Sequence, residues 1–273
     1  MKKFKMIAEA ALAAVMAAAL AGCGGGNDSK SSSGEAAKDK LAQVQEAGKI
    51  VIGTEGTWAP WTYHDEADSL VGFDVEVGKL IAREMGVEAE FVEGEWDGLL
   101  AGVSGGRYDM VINGVEWSED RAATYTFTEP YAYIRTALIV PADNTDITTF
   151  EDLKGRTTAN SIGSTYMILA EDYGATVQGV DSLEETLELV MQGRVDATLN
   201  AEVSFLDYMA VHPDAPLKVV ALTDEASPVV IPVKMSDDNA SFVAAINDAI
   251  AKIAASGELS ELSVKYFGSD ITK

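Results

Sequence analysis

The sequence predicts an α/β fold with mostly parallel sheets, arranged as two similar lobes around a cleft. Two observations carry this. From Lys49 onward, short apolar runs alternate with amphipathic stretches across brief turns, the pattern of βα units. The run Gly106-Arg107-Tyr108-Asp109-Met110-Val111-Ile112-Asn113 is echoed by Gly193-Arg194-Val195-Asp196-Ala197-Thr198-Leu199-Asn200. Each would follow a helix, cross a Gly turn, run down a strand and end in Asn. Open α/β sheets bind ligands at the C-terminal ends of their strands, so Asn113 and Asn200 would face one cleft. Gly-Arg-x-Asp is also a common helix-to-strand connection, so the echo alone does not require two lobes.

The chain opens with Lys2, Lys3 and Lys5 ahead of a mostly apolar run from Met6 to Leu20, interrupted by Glu9, and then Leu20-Ala21-Gly22-Cys23. A basic start, an apolar middle and small residues at the end predict a signal peptide over 1–22. The apolar run falls short of the ~20 residues that span a bilayer. Leu-Ala-Gly-Cys resembles the lipobox of bacterial lipoproteins, in which the Cys is lipidated; an ordinary signal peptide with an incidental Cys is the other reading. Cys23 is the one cysteine of the chain, so no intrachain disulfide forms. Gly24 to Gly34 is Gly/Ser-rich, and 23–48 is expected to be a flexible tether.

Ile50-Val51-Ile52-Gly53 reads as a buried strand. Phe73, Val77, Leu80, Ile81 and Met85 share a helix face that Gly86 ends. Val87–Val92 alternates as a strand, Trp96–Val103 reads as a short helix, and Asp109–Asn113 as a strand. Ser118-Glu119-Asp120-Arg121 is a capped helix start. Gly163-Ser164-Thr165 precedes a helix to Tyr173, stopped at Gly174. Ser182-Leu183-Glu184-Glu185 is a capping box opening a helix through Met191. Val195–Asn200 is a strand. Phe242, Ile246, Ala249 and Ile253 mark a helix ending at Gly257.

The 273 residues carry 44 acidic and 20 basic side chains, a net charge of −24, with 47% hydrophobic residues. That apolar fraction supports a folded core. The charge argues against nucleic acid as a partner and against charge-driven attachment to anionic lipid. The two histidines, His64 and His212, have no metal-ligand spacing, so neither a metal site nor a cofactor is expected.

Four stretches carry a resemblance. They are Gly53-Thr54-Glu55-Gly56-Thr57-Trp58-Ala59-Pro60-Trp61 with Val71-Gly72-Phe73-Asp74-Val75-Glu76; Glu95-Trp96-Asp97-Gly98-Leu99-Leu100; Asp109 through Ser118-Glu119-Asp120-Arg121 to Phe127-Thr128-Glu129-Pro130-Tyr131; and Asp224–Lys273, which includes Leu259 to Gly268. Residues 50–273 resemble the polar amino-acid solute-binding proteins of bacterial ABC transporters, with a narrower likeness to cystine-binding members. The resemblance implies a two-lobed periplasmic-binding-protein-like fold (type II), with lobe 1 over 49–135 and 232–273 and lobe 2 over 136–231. The hinge strands would be Tyr133–Val140 and Pro228–Val233, and the ligand would sit between the lobes.

The resemblance also implies a site. Arg121 stands at the family's carboxylate-binding arginine, and a guanidinium matches two carboxylate oxygens with its planar fork. Read without the family, Arg121 is equally a solvated side chain in a surface turn. Ser164 and Thr165 stand where the family places donors at a helix N-terminus, a setting that favours anions; Ser164 is also a plain N-cap. Trp58 and Trp96 occupy the positions that sandwich the ligand side chain, with core packing as the alternative; Trp61 and Trp117 are weaker candidates. Asn113 and Gly114 line the strand end. Many relatives take the ligand ammonium with an Asp where this chain has Ala201. Glu116 stands where relatives have Ser or Thr, so the acceptor is expected to have moved to Glu116, with Glu202 second. A solvated surface charge is the ordinary alternative for either. Trp117, next to Glu116, should point the opposite way along a strand.

The expected function is capture of a polar L-amino acid, cystine, cysteine or a basic one, and its delivery to an ABC permease and its ATPase. The protein would be a monomer, anchored through Cys23 on the extracytoplasmic face of the cell membrane. The rivals are a dehydratase-like enzyme on the same fold and a sensory amino-acid-binding module; no Ser-His-Asp set or phosphate loop supports catalysis.

Overall fold

The computed structural model describes residues 39–273. The expected signal peptide, Cys23 and the Gly/Ser-rich run lie outside them. The expected tether ends sooner than 48. Lys40–Ala47 is a helix, with the Asp39 side chain accepting from the Ala42 N–H and Gly48 closing it in the left-handed conformation. Val44 is buried and Leu41 packs beside it on the core. That apolar contact, which a Gly/Ser composition upstream does not reveal, turns the end of the tether into structure.

Two sheets organise the rest. The first is five-stranded, in the order Glu88–Glu93, Lys49–Thr54, Met110–Val111, Pro232–Lys234, Tyr125–Phe127. The second places Thr136–Pro141 between Thr198–Ala201 and Leu217–Leu222. A parallel pair, Thr157–Ser161 with Thr176–Val180, joins it through a bridge from Thr158 to Ala197. Between the sheets run two adjacent crossing segments, Ala132–Ile134 and Ser227–Val229, paired antiparallel.

The expected helices form close to their predicted bounds, whereas the strands expected at Asp109–Asn113 and Val195–Asn200 form as Met110–Val111 and Thr198–Ala201. The helix Phe73–Met85 ends at Gly86 at φ 73°. Ser182 caps Leu183–Met191, and Ser164 caps Thr165–Asp172. The sheets are mixed, however, rather than mostly parallel. Strands joined through helices are parallel, as Lys49–Thr54 is to both its neighbours. Pro232–Lys234 and Thr136–Pro141 instead follow the crossing segments, with no helix between to reverse direction, and pair antiparallel with their neighbours.

The core beneath the first sheet is aromatic. Trp61 is wholly buried; its ring stacks on Trp58 at 5.5 Å and meets Phe73 and Phe267 at 5.7 and 4.8 Å. Phe267 ends the helix Glu258–Phe267, so the C-terminal segment closes over the turn that carries Trp58. Across the divide, the Trp61 indole N–H donates to Ser204 Oγ at 3.0 Å. Ser204 stands in the helix Glu202–Val211, which joins two strands of the second sheet.

One glycine fixes this turn. Gly72 sits at φ 132°, and a Cβ there would run into the Trp61 carbonyl. Gly72→Ala should therefore lower unfolding stability by at least ~2 kcal/mol. Gly86→Ala, where no atom lies within 4 Å of the added carbon, should cost only the ~1 kcal/mol of a left-handed non-glycine. Urea titration of the two variants measures the difference.

Candidate functional site

Both sheets aim their strand ends at one cavity, the concave setting in which small molecules bind. From the first side come Glu55, Thr57 and Trp58 after the strand Lys49–Thr54, Asn113, Gly114 and Glu116 after Met110–Val111, then Trp96 and Arg121. From the second come Ser161, Ser164, Thr165, Tyr166, Asp181, Ser182, Leu183 and Asn200. The two asparagines that end the echoed segments thus meet across one cavity.

Arg121 lies in the short helix Glu119–Ala122, whose N-cap Ser118 accepts from the Arg121 N–H. The capped start seen in the sequence is real, but it turns the side chain inward: Arg121 is 8% exposed. Its guanidinium donates to two backbone carbonyls, Glu116 at 2.8 Å and Gly163 at 3.1 Å. The Gly163 bond crosses from the first side of the cavity to the second. Trp96 covers the group, with the guanidinium carbon 5.4 Å from the ring centre. Arg121 makes no salt bridge among the described residues. Burial lowers its pKa, and the nearby Glu116 carboxylate opposes that.

Glu116 is 4% exposed and Trp117 is 46% exposed, so the two alternate as a strand requires. A bridge from Glu116 to Val229, and the Trp117 N–H to Pro228 carbonyl bond, zip this segment to a crossing strand. The Thr165 hydroxyl donates to the Glu116 carboxylate from the opposite side of the cavity. Burial raises the pKa of Glu116; bonds from Thr165 and Ser227 and the charge of Arg121 work against it.

A second carboxylate stands at the other strand end. Asn113 holds Glu55 from both directions: its Nδ2 donates to the carboxylate, and its Oδ1 accepts from the Glu55 N–H at 2.8 Å. Burial pushes the Glu55 pKa up to about 7, and Glu95 adds repulsion. Gly114 sits at φ 53° directly beneath Trp58, leaving no room for a Cβ. Its N–H donates to the wholly buried Asp74, which also accepts from the Tyr131 hydroxyl at 2.8 Å. Burial raises the Asp74 pKa to about 7.

Of the expected site residues, Arg121, Glu116, Trp58, Trp96, Asn113, Gly114, Ser164 and Thr165 all line the cavity. Glu202 is not among the lining residues. Counting by twos from Asn200 would place it on the same face. The chain instead leaves the strand at Ala201, and Glu202 opens the helix Glu202–Val211 with its N–H bonded to the Arg135 carbonyl. Trp61 lies behind Trp58 rather than on the wall, and Trp117 points away. Sequence reasoning passed over Glu55, Tyr166 and Asp181. Glu55 was recoverable, since it directly follows the first strand and precedes Trp58 by three residues. Tyr166 follows Thr165 in a helix first turn, and only the helix orientation brings it to the cavity. Among the described residues, no group of three or more His, Cys, Asp or Glu is placed to hold a metal ion.

The arrangement suits a small molecule bearing an acid and an amine. A cation and an anion of the protein, both buried and not paired with each other through their charged groups, lie on one cavity with indole walls beside them.

Comparison with known proteins agrees with this layout. The sequence profile of the bacterial extracellular solute-binding proteins, family 3, matches residues 50–269. The L-cystine-binding protein TcyA of Bacillus subtilis is 36% identical over 260 residues, covering 95% of this chain and 96% of that protein. An ancestral arginine-binding protein bound to arginine superposes with a TM-score of 0.75 at 32% identity, over 81% of this chain and 99% of that one. The L-cystine solute receptor of Neisseria gonorrhoeae, in an unliganded open conformation, superposes at 0.58 with 38% identity, over 85% and 99%. The chain belongs to the bacterial extracellular solute-binding proteins, family 3.

Proposed function

We propose that this protein captures a polar L-amino acid outside the cytoplasmic membrane and delivers it to an ABC permease and its ATPase. The observation that carries this reading is Arg121, a buried guanidinium bonded to two carbonyl oxygens and in no salt bridge among the described residues. A buried charge is costly until it is paired. A ligand carboxylate completes it, with help from the N–H groups at the start of the helix Thr165–Asp172, where Ser164 and Thr165 stand. Glu116 takes the ligand ammonium. Trp58 and Trp96 flank the side chain, and wide rigid rings lose little freedom in doing so.

Glu55 supplies a second acceptor, in place of the Glu202 expected from sequence. A buried and a half-buried carboxylate in one cavity favour a ligand with a second positive group, such as L-cystine or L-arginine. We take lobe 1 as 49–135 with 232–273 and lobe 2 as 136–231, closing about the paired crossing strands. Bonds from Arg121 to the Gly163 carbonyl, from Thr165 to Glu116 and from Trp61 to Ser204 span the divide and favour the closed form. Ligand adds to them only through contacts that exist in the closed form. On this reading the chain is a non-catalytic monomer, held near its permease by a lipid on Cys23, which raises effective concentration.

A thermal-shift screen over the common amino acids and cystine tests the proposal, since a ligand specific to the folded state raises the melting temperature. L-cystine or L-arginine should give the largest shift and be recovered unchanged; no shift with any amino acid would overturn the reading. By calorimetry, Arg121→Ala should weaken binding about 100-fold, ~2.7 kcal/mol, and Glu116→Gln at least about tenfold, ~1.4 kcal/mol. Glu202→Gln should leave affinity unaltered.

Binding should also depend on pH. Ionised Glu55 is the form that pairs with a cation, and it keeps its proton up to about pH 7. Below that pH, the ligand's second cation must displace the proton. Affinity for L-arginine should therefore rise from pH 6 to pH 8, with a limiting slope of about tenfold per pH unit on the acid side. Glu55→Gln should flatten the profile.

A further inference from the structure

The two echoed asparagines meet the cavity differently. Asn113 is wholly buried and committed within its own side: its Nδ2 donates to the Glu55 carboxylate, and its Oδ1 accepts from the Glu55 N–H and the Thr54 hydroxyl. Asn200 stands in the strand Thr198–Ala201, 8% exposed, on the opposite cavity wall. Its Oδ1 accepts from the Ala201 N–H at 2.9 Å, which fixes the end of the carboxamide that carries the nitrogen. Its Nδ2 makes no hydrogen bond among the described residues, and that nitrogen is not one of the polar atoms sealed from water. A side chain more than nine-tenths buried thus keeps two N–H donors open where it lines the cavity. Buried polar groups are hydrogen-bonded as a rule, so this one calls for a partner from the ligand.

Counting donors says which part of the ligand that is. The α-carboxylate assigned to Arg121 offers about four lone-pair sites. Of the five guanidinium donors, two go to the Glu116 and Gly163 carbonyls, which leaves three. The N–H groups of Thr165 and Tyr166, in the first turn of the helix Thr165–Asp172, find no acceptor among the described residues. These groups already match the α-carboxylate. Asn200 stands outside that turn, on the strand beside Thr157–Ser161, which leads into it. Its amide is therefore left for a second acceptor on the ligand. The arginine side chain has donors only, whereas cystine carries a second carboxylate.

We propose that Asn200 is a specificity-determining residue whose Nδ2 donates to a second carboxylate on the ligand, so that the cavity favours an amino acid bearing that group over one whose side chain only donates. The inference rests on the amino-acid reading of the cavity and separates its two candidate ligands: L-cystine has the second carboxylate and L-arginine lacks it.

The test is calorimetry with two probes, L-cystine and the mixed disulfide of L-cysteine with cysteamine, which keeps both amines and lacks the second carboxylate. The natural protein should bind L-cystine about tenfold more tightly than the mixed disulfide, the scale of one charge-assisted hydrogen bond. In Asn200→Ala that preference should fall to within about twofold, because protein donor and ligand acceptor form one coupled pair. Asn200→Asp, which keeps an oxygen facing the Ala201 N–H, should reverse the preference, since carboxylate would then face carboxylate. Melting of the unliganded proteins accompanies this; if Asn200→Ala melts below the natural protein, Asn200→Asp decides. A natural protein without the preference for L-cystine overturns the assignment, and so does a preference that survives in the variants. If the natural protein binds neither probe nor any amino acid, the functional reading itself fails, and that outcome is distinct from a natural protein that binds amino acids without this preference.

Discussion

The structure is organised around one buried cation that forms no salt bridge among the described residues. Arg121 is drawn inside by a capped turn and held in place by two carbonyls, one from each side of the cavity. Carbonyl oxygens fix the orientation of a guanidinium but do not neutralise it. Two donors are used and the rest of the five remain for a planar anion. A protein that needed only stability would be served as well by an apolar side chain there. Keeping the cation leaves donors open on the cavity and ties the two sides of it together through one side chain.

The wall opposite that charge is built from the inside outward. Asp74, wholly buried in the first turn of its helix, holds the Gly114 N–H on one side and the Tyr131 hydroxyl on the other. Gly114, lacking a Cβ, lets Trp58 lie flat over the backbone. Trp58 in turn stacks on Trp61, and Trp61 reaches across to Ser204. The cavity wall and the contact across the divide are therefore successive layers of one packed stack.

The acidic composition acquires a local meaning at the cavity. Most of the 44 acidic residues are surface charge, but Glu55 and Glu116 are carboxylates that burial makes reluctant to ionise. Each is held by donors from neighbouring polar groups: Asn113 for Glu55, Thr165 and Ser227 for Glu116. Such groups favour cationic ligands, because an arriving cation removes part of the desolvation cost.

Local rules were enough to read much of this from the sequence. Periodicity and caps placed the helices Phe73–Met85 and Leu183–Met191, because capping and side-chain period act within a few residues. The Gly-Arg-x-Asp echo placed Asn113 and Asn200 at corresponding strand ends, and alternation separated Glu116 from Trp117. What remained needed three dimensions. The antiparallel half of each sheet follows from strands that arrive along the crossing segments, a long-range event with no local signal. Glu202 was lost to the cavity because the strand ends one residue before it. Tyr166 joined the cavity because of the direction of a helix against a distant strand. A sequence specifies which residues share a face; only packing decides which faces meet, because burial is a property of the partner as much as of the residue.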